Sequence, residues 1–469
     1  MGSAGAGVHA YSSRAAPELS MRPRLLHLPR PARPAQVVVL AFAVAVAVGT
    51  LLLLLPVSRA DPGGAPVVDA LFTATSAVTV TGLNTVDTAT YWSGFGHVVI
   101  LLLIQIGGFG IMSLATLLGL LVSHRLGLRM RLTTAAETKM LGIGDVRRVL
   151  VGVARTSLLF EAAGAVVLSV RFATAHDEPV GRALWLGLFH SVSAFNNGGF
   201  ALFSDGLIRF VTDPVVTLTV CLLVITGGLG FPVMFELYRL WRSPRRWTMH
   251  TKIVVLATSV LLAAGTLAFL ALEWSNPATL GPLGVGGKAL AGFFLAVMPR
   301  SGGLHSVPTG ELHAESLLLT DVLMFIGGGS AGTAGGIKVT TFTVLLFVIL
   351  TEIRADRSVV AFHRHIPSDA QRQALTVALL AVAGVFGGTG ALMVLTPFSL
   401  DQVLFEVISA FATVGLSTGI TGDLGTPGTL LLVVLMFTGR LGPITLASAL
   451  ALRARPRLYE FPQERPIIG

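Results

Sequence analysis

Cysteine and charge are both scarce in this 469-residue chain, which contains one cysteine and 12% charged residues. A lone thiol, Cys221, excludes a disulfide framework and a cysteine-rich metal site. Soluble proteins devote about a quarter of their residues to Asp, Glu, Lys and Arg. A chain with half that share of charge and 53% hydrophobic residues is therefore not an ordinary soluble protein. The composition indicates an integral membrane protein.

The apolar residues form runs that are long enough to cross a bilayer, for which a helix needs about 20 residues. Eight such runs are present, at 37–55, 97–122, 149–172, 214–240, 253–274, 316–350, 373–396 and 427–452. Most of the 33 lysine and arginine residues lie in the terminal segments, 1–36 and 453–469, and in alternate connections. Basic segments favour the cytoplasmic side. We therefore expect eight spans, a basic cytosolic N-terminal arm and a cytosolic C-terminal tail, with no nucleic-acid role.

Four shorter apolar segments lie in the connections on the other side, at 68–78, 183–195, 287–298 and 400–411. Segments of this length are candidates for re-entrant helices. Their ends align as SAVTVTGL (76–83), SAFNNGGF (193–200), AVMPRSGGL (296–304) and SAFATVGL (409–416). The alignment superimposes one glycine from each segment, namely Gly82, Gly199, Gly303 and Gly415.

Repetition at a fixed period indicates a repeat architecture. Each unit comprises an outer helix, a short pore helix, an extended loop and an inner helix. The units occupy 37–122, 149–240, 253–350 and 373–452. The sequence thus predicts an all-α membrane protein with four repeats in a pseudo-fourfold arrangement around one pore.

The four aligned loops have a composition that suits cation coordination. Rings of backbone carbonyl oxygens replace the hydration shell of a monovalent cation in selectivity filters, and glycine supplies the positive φ that turns successive carbonyls inward. A single glycine after a helix is more often a C-cap. Four glycines in register, each before a spanning helix, favour a pore. Acidic residues in the same connections predict an acidic vestibule.

A second glycine repeat follows in the inner helices: IQIGGFGIM (104–112), VITGGLGFP (224–232), MFIGGGSAG (324–332) and MFTGRLGPI (436–444). In this alignment Arg440 occupies the column of Gly108, Gly228 and Gly328. A guanidinium at the axis is an electrostatic barrier to cations, and backbone carbonyls are suitable partners for it. The alternative is a buried arginine paired with an acid.

The sixth run contains GGGSAGTAGGIK (327–338), which is too rich in glycine for a stable helix. It predicts a break at membrane depth, which is tolerated only inside the protein or beside a cavity. A plain flexible hinge is the alternative. Lys338, at the end of the segment, is expected to extend toward the cytoplasm.

Together these motifs resemble the Trk/Ktr/HKT superfamily of potassium transporters, and the Ktr-type bacterial membrane subunit most closely. The resemblance covers about residues 37–460. It implies a multi-pass protein of the bacterial cytoplasmic membrane that takes up potassium through a filter of backbone carbonyls. The implied filter residues are Thr79, Val80, Thr81, Gly82, Asn196, Asn197, Gly198, Gly199, Arg300, Ser301, Gly302, Gly303, Thr413, Val414 and Gly415.

The resemblance also implies that the glycine-rich break is an intramembrane gate that moves to open the ion path. The expected gate residues are Gly327, Gly328, Gly329, Ser330, Gly332, Thr333, Gly335, Gly336, Lys338 and Arg440. The third filter segment departs from the family pattern, since Met298 and Pro299 stand where threonine-type residues are usual. Arg300 must turn away from the ion path, because a cation there would repel the permeating ion.

The implied partners are a second copy of the chain in a homodimer, membrane lipid, and a separate cytosolic ring of nucleotide-binding subunits that respond to ATP, ADP or NAD. Potassium is the implied permeating ion and sodium a candidate activator, with no covalently bound cofactor and no other metal.

Other functions remain open from the residues alone. Sodium or less selective monovalent-cation transport is one alternative, because of the third segment. A cation-coupled symporter would predict inverted repeats, whereas these repeats share one orientation. An intramembrane enzyme using Ser417 is disfavoured. The motifs GLSTG (415–419) and GGGSAG (327–332) lack the strand contexts that a nucleophile elbow or a dinucleotide fingerprint requires.

Overall fold

The computed structural model describes residues 34–125, 143–356 and 358–442, which are helical over most of their length. In chain order the helices are α1 (Pro34–Leu53), α2 (Val67–Val78), α3 (Thr88–Tyr91), α4 (Gly94–Arg125), α5 (Ile143–Ala175), α6 (Val180–Phe195), α7 (Pro214–Leu229), α8 (Phe231–Leu240), α9 (Met249–Glu273), α10 (Val285–Val297), α11 (Ala314–Phe325), α12 (Val339–Ile353), α13 (Ser368–Leu395), α14 (Leu400–Phe411) and α15 (Gly425–Leu441). Strands β1 (Val360–Ala361) and β2 (Arg364–His365) form an antiparallel hairpin, with Val360 opposite His365. Apart from the start of α1, the predicted arm 1–36 and tail 453–469 lie outside the described residues.

Several helices begin at side chains that satisfy the free N–H groups of the first turn. Asp213 accepts a hydrogen bond from Val215 N before α7, and Thr248 accepts one from Thr251 N before α9. Ser399 and Gln402 form a capping box at the start of α14. Such caps stabilise a helix by about 1 kcal/mol each. They mark where the chain turns back into the membrane region.

By their order and contacts the helices group into four units, each with an outer, a pore and an inner helix. The units are α1, α2 and α4; α5, α6 and α7; α9, α10 and α11; and α13, α14 and α15. Each inner helix also packs against the pore helix of the following unit, in the pairs α4 with α6, α7 with α10, and α11 with α14. The last inner helix, α15, packs against the first pore helix, α2. This final contact closes the four units into a ring.

The outer helices carry exposed apolar side chains, as expected for surfaces that face lipid. Leu51, Leu267 and Phe386 are examples, and each is more than 60% exposed. Within the described residues, four helical segments are long and apolar enough to cross a membrane: Gln36–Leu53, Leu150–Ala175, Met249–Glu273 and Ser368–Leu395. All four belong to outer helices. The count of eight membrane spans therefore stays a prediction.

The first inner helix, α4, is continuous through its apolar run, whereas the other three inner helices break or end within theirs. The run 214–240 bends by 102° between α7 and α8, at Gly230, whose φ is +93°. The run 316–350 divides into α11 and α12, with non-helical backbone between Phe325 and Val339. Helix α15 ends before Gly442, whose φ is +79°. Glycine permits these positive φ values, so continuous hydropathy conceals a break in the helix.

A column of glycines lets the inner helices approach the ends of the pore helices. A Cβ added at Gly107, Gly227 or Gly439 would overlap a backbone carbonyl oxygen at the end of α2, α6 or α14. These oxygens belong to Val78, Phe195 and Phe411 respectively. In the third unit, a Cβ on the equivalent Gly327 would instead overlap the carbonyl oxygen of Gly335, within the break. The break thus takes the place of a pore-helix end.

Replacing Gly439 by alanine is expected to lower the thermal unfolding midpoint of the purified protein in detergent. The added methyl group overlaps the Phe411 carbonyl, and overpacking of this kind costs about 1–3 kcal/mol. Gly387→Ala is the matched control, because Gly387 lies in α13 with no atom within 4 Å of an added Cβ. Equal midpoints for the two variants would contradict the close packing of α15 on α14.

Candidate functional site

The four loops after the pore helices share one backbone pattern. In each, the aligned glycine and the residue two positions before it have positive φ: Val80 and Gly82, Asn197 and Gly199, Ser301 and Gly303, Thr413 and Gly415. The values at Val80 and Thr413, +55° and +49°, are rare for β-branched side chains. Strained backbone of this kind persists only where the surrounding structure imposes it, and it clusters at functional sites.

The four aligned glycines surround a common centre. A Cβ added to Gly82 would lie 2.6 Å from Cα of Gly199, and one on Gly199 would lie 3.2 Å from Cα of Gly303. A Cβ on Gly303 would lie 3.3 Å from Cα of Gly415, and one on Gly415 would lie 3.0 Å from Cα of Gly82. The sequence alignment therefore corresponds to a closed ring in space, which we call the glycine ring.

Backbone carbonyl oxygens of the preceding residues lie at the glycine ring. Cβ atoms added to the ring glycines would lie against the carbonyl oxygens of Thr81, Gly198 and Val414. The four pore helices end immediately before these loops, so the negative ends of their dipoles lie close to the same centre. The arrangement presents negative partial charge to a cation without a buried carboxylate at the ring.

A vestibule of about 540 Å³ lies on one side of the glycine ring, and all four ring glycines line it. Two acids, Asp87 and Asp205, are among its lining residues, fewer than the acid-rich connections predict. Asp205 forms an ion pair of 2.6 Å with Arg209, whose hydrogen bonds lower the pKa of the Asp205 carboxyl. Other acids of these connections, such as Glu406, are buried and hydrogen-bonded to loop residues.

Serine side chains hold three of the loops from behind. Ser76 Oγ accepts a hydrogen bond of 3.0 Å from Gly82 N, and Ser409 Oγ accepts one of 3.1 Å from Gly415 N. Ser193 Oγ accepts from Phe200 N and donates to Phe200 O. The third unit has Val297 at the equivalent position. There the amides of Gly302 and Gly303 donate to Met298 O, at 2.8 and 3.4 Å.

Asn196, predicted as a filter residue, directs its side chain behind the loop. Its Nδ2 donates to Gln105 Oε1 at 2.9 Å and to Glu161 Oε1 at 3.0 Å. Gln105 Nε2 donates to the same Glu161 oxygen at 3.1 Å. Glu161, to which the sequence alone assigns no role, thus orients the second loop. Neither Gln105 nor the supporting serines could be identified from the sequence except by their positions in the aligned repeats.

Arg300 also turns away from the glycine ring, as a cation path requires. Its guanidinium donates to Gly327 O at 3.1 Å and to Thr258 Oγ1 at 3.3 Å. Only the backbone of Arg300 therefore belongs to the third loop. The side chain connects this loop to the start of the glycine-rich break.

The break packs directly beneath the loops. Thr333 Oγ1 donates to Asn197 Oδ1 at 2.9 Å, and Gly335 N donates to Ser301 Oγ at 2.9 Å. Ser301 Oγ in turn donates to Thr413 O at 2.8 Å. Asn197 and Ser301, the positive-φ residues two positions before the ring glycines in loops two and three, thus bind the break through their side chains.

The remaining predicted gate residues lie in the same segment. Gly327 N donates to Ile337 O at 2.9 Å, which joins the two ends of the break. Gly329 N donates to Gly228 O in the neighbouring inner helix at 2.8 Å. Gly328, Gly332 and Gly336 lie where other backbone or side-chain atoms approach closely. The hydroxyl groups of Ser330 and Thr340 lie 2.9 Å apart and form a hydrogen bond.

Arg440 has the carbonyl partner that its column predicts. Its Nη1 donates to Thr333 O at 2.6 Å, and among the described residues no acid forms an ion pair with it. Lys338 does not extend toward the cytoplasm. Its Nζ donates to the carbonyl oxygen of Ala334, within the break, at 2.5 Å. Two cationic groups therefore hold adjacent carbonyls of the break.

Comparison with known proteins gives concordant results. The family described as TrkH, cation transport protein, matches residues 18–455. The Ktr system potassium uptake protein B of Bacillus subtilis is 40% identical over 89% of this chain and 93% of its own. The protein of the same name from Vibrio alginolyticus is 40% identical over 92% and 94%.

A more distant relative and a solved structure extend this similarity. The potassium/sodium uptake protein NtpJ of Enterococcus hirae is 34% identical over 93% of this chain and 97% of its own. The crystal structure of the potassium transporter TrkH from Vibrio parahaemolyticus has the same fold, with a TM-score of 0.69 and 19% identity. It aligns with 91% of this chain and 87% of its own. These relatives are named as transport proteins, not enzymes.

Ser409→Ala is expected to destabilise the fourth loop, because the Gly415 N–H loses its acceptor in a buried site. An unpaired buried donor costs about 1–3 kcal/mol, which a lower thermal unfolding midpoint in detergent would report. Thr226→Val serves as control, since among the described residues the Thr226 hydroxyl bonds only to carbonyls of its own helix. If both variants unfold at the same temperature, the serine does not support the loop.

Proposed function

The chain belongs to the TrkH family of cation transport proteins, and from this membership and the geometry of the loops we propose that it takes up potassium across the cytoplasmic membrane of a bacterium. The names of the 40% identical relatives, both potassium uptake proteins, support potassium as the ion. The glycine ring at the base of the vestibule is the observation that carries the proposal, because it requires all four repeats to meet at one point.

The proposed filter consists of the backbone carbonyls of Thr79–Gly82, Asn196–Gly199, Arg300–Gly303 and Thr413–Gly415. Carbonyls replace the water that the ion loses on entry, and the C-terminal ends of the pore helices stabilise the ion electrostatically. The loop amides bond to serine hydroxyls and pore-helix carbonyls behind the filter. The ring carbonyls of Thr81, Gly198 and Val414 are thus left for the ion, whereas the Thr413 carbonyl also accepts a hydrogen bond from Ser301 Oγ. Conduction through such a path is passive and follows the electrochemical gradient.

Sodium transport, or less selective transport of monovalent cations, is the second candidate. NtpJ is named a potassium/sodium uptake protein. The third loop also differs from the others, since it contains Pro299 and lacks the supporting serine hydroxyl. A less firmly held quarter of the ring would discriminate less between ions of different size. A cation-coupled symporter finds no comparable support in this geometry.

The gate in this proposal is the glycine-rich break, closed by its contacts with the filter loops. An ion leaving the ring meets Thr333 and Gly335, which bond to Asn197 and Ser301. Arg440 and Lys338 hold the neighbouring carbonyls in place and add positive charge below the filter. Opening requires the break to withdraw, which separates Thr333 from both Asn197 and Arg440.

The proposed assembly is a homodimer with one pore per subunit, controlled by a cytosolic ring of subunits that bind ATP, ADP or NAD. The relatives' names, which make them protein B of a Ktr system, support the presence of another component. Basic connections support the assignment of both termini to the cytoplasm. Sodium as an activator belongs to the same proposal.

Gly82→Ser, Gly199→Ser and Gly415→Ser are each expected to reduce potassium uptake about tenfold or to weaken its preference over sodium. A side chain at these positive-φ sites costs about 1–3 kcal/mol and intrudes on the neighbouring glycine. Flux of each ion is measured in proteoliposomes and in cells deficient in potassium uptake. Gly286→Ser, in open space near the start of α10, is the control. Wild-type flux and selectivity in all three filter variants would refute the filter assignment.

Arg440→Ala is expected to raise potassium flux several-fold, because it removes a positive charge from the path and frees Thr333 O. The measurement is initial uptake rate in proteoliposomes at matched protein content. Arg354→Ala, at an exposed arginine just after α12, controls for loss of basic charge. Reduced flux from a variant with an unchanged unfolding midpoint would contradict the gate role of Arg440.

A further inference from the structure

Helix α8 has the features of a helix that lies at a membrane surface. It follows the 102° bend at the end of α7 opposite Asp213, on the side of the protein away from the vestibule. Phe235, Tyr238 and Trp241 recur at three-residue spacing and are 57%, 87% and 64% exposed. Aromatic side chains concentrate at membrane interfaces, and short amphipathic helices lie in that plane. The exposed aromatic residues therefore suit α8 to the level of the lipid headgroups.

A basic cavity of about 470 Å³ opens next to this helix. Arg245 and Arg246 line it from the connection between α8 and α9, Lys252 from the first turn of α9, and Arg364 from the β1–β2 hairpin. The hairpin turn, at Phe362 and His363, has φ values of +49° and +63°, and it places Arg364 across the cavity from the other three. Two segments that are distant in sequence thus converge on one space.

The four cations of the cavity have no acidic partner among the described residues. Glu236, on the adjacent helix α8, binds other groups instead of these cations. Its carboxylate accepts hydrogen bonds of 2.6 Å from both Thr248 N and Thr251 Oγ1. Like charges that converge without counter-charge repel one another. A bound anion would relieve that repulsion.

We propose that this cavity binds the phosphate-bearing headgroup of an anionic phospholipid from the leaflet opposite the vestibule. Basic pockets between membrane helices on the cytoplasmic side are suited to such headgroups. Two features support a lipid as the source of the phosphate: the charge of the cavity, and its lining by the connection that leads directly out of α8, the helix with the exposed aromatic residues.

The position of the cavity gives the lipid a structural consequence. The hairpin that carries Arg364 follows α12, the half of the third inner helix that lies beyond the break. It packs through Ala361 and Ile366 against Met249 at the start of α9 and Val348 of α12. A headgroup bound to Arg364 and Arg246 would join the two sides of the cavity and restrain α12 relative to α9.

Native mass spectrometry of the full-length protein, titrated with phosphatidylglycerol or with phosphatidylcholine of the same acyl chains, tests the proposal. The wild type is expected to bind phosphatidylglycerol preferentially. Arg246→Gln and Arg364→Gln are each expected to weaken that binding about fivefold, since a basic residue near an anionic surface contributes about 1 kcal/mol. Arg354→Gln and Arg372→Gln, exposed outside the cavity, are the controls and should bind as wild type.

Separate arms identify the source of the anion. Inorganic phosphate and glycerol phosphate are added as competitors, and displacement of the lipid by either at equal concentration would show a site for soluble anions and overturn the proposal. Equal binding of phosphatidylglycerol and phosphatidylcholine would overturn it too. Unchanged lipid binding by the cavity variants would also overturn the proposal. This includes the outcome in which the variants bind lipid as the wild type does but lose binding to an acidic cytosolic protein. Unfolding midpoints of all variants identify any loss that arises from misfolding.

Discussion

Backbone that leaves the helical conformation inside a membrane has no water to bond its N–H and C=O groups, and the centre of this protein is organised around that constraint. The four loops meet it asymmetrically. Their amides donate to serine hydroxyls and pore-helix carbonyls behind the loop, while carbonyls remain at the glycine ring. A buried polar group without a protein partner is strongly destabilising unless another species binds it. The constraint that limits loops in lipid thus accounts for the carbonyls that remain at the glycine ring, where we propose that the cation binds.

The glycine-rich break meets the same constraint with different partners. Its amides and carbonyls bond to the neighbouring inner helix, to Ser301 of the third loop, and to the cationic side chains of Arg300, Lys338 and Arg440. Because Gly228 and Arg440 belong to other units of the ring, the break is fixed partly by the assembled pore and not by its own sequence alone. Moving it exposes polar backbone, which becomes favourable when water or ions enter the space that it vacates.

Much of this architecture was predictable from sequence, because repetition makes weak signals agree. One glycine after an apolar segment is ambiguous, whereas four in register specify the ring, and the column of Arg440 predicts a carbonyl partner. Directions of side chains were less accessible. Asn196 and Arg300 share a column with Thr79, yet their partners, Glu161 and Gly327, come from distant segments. Lys338 was wrongly expected to extend outward, since the nearby carbonyl of Ala334 has no signature in the sequence.

The four quarters of the ring are covalently joined, and they are not alike. In a pore assembled from four identical chains, an arginine in the column of Arg440 would appear four times and place four charges on the axis. Here three quarters retain glycine in that column, and one carries the charge. Joining the copies in a single polypeptide lets the quarters differ, so that the third contains the glycine-rich break and the fourth contains the arginine that bonds to it.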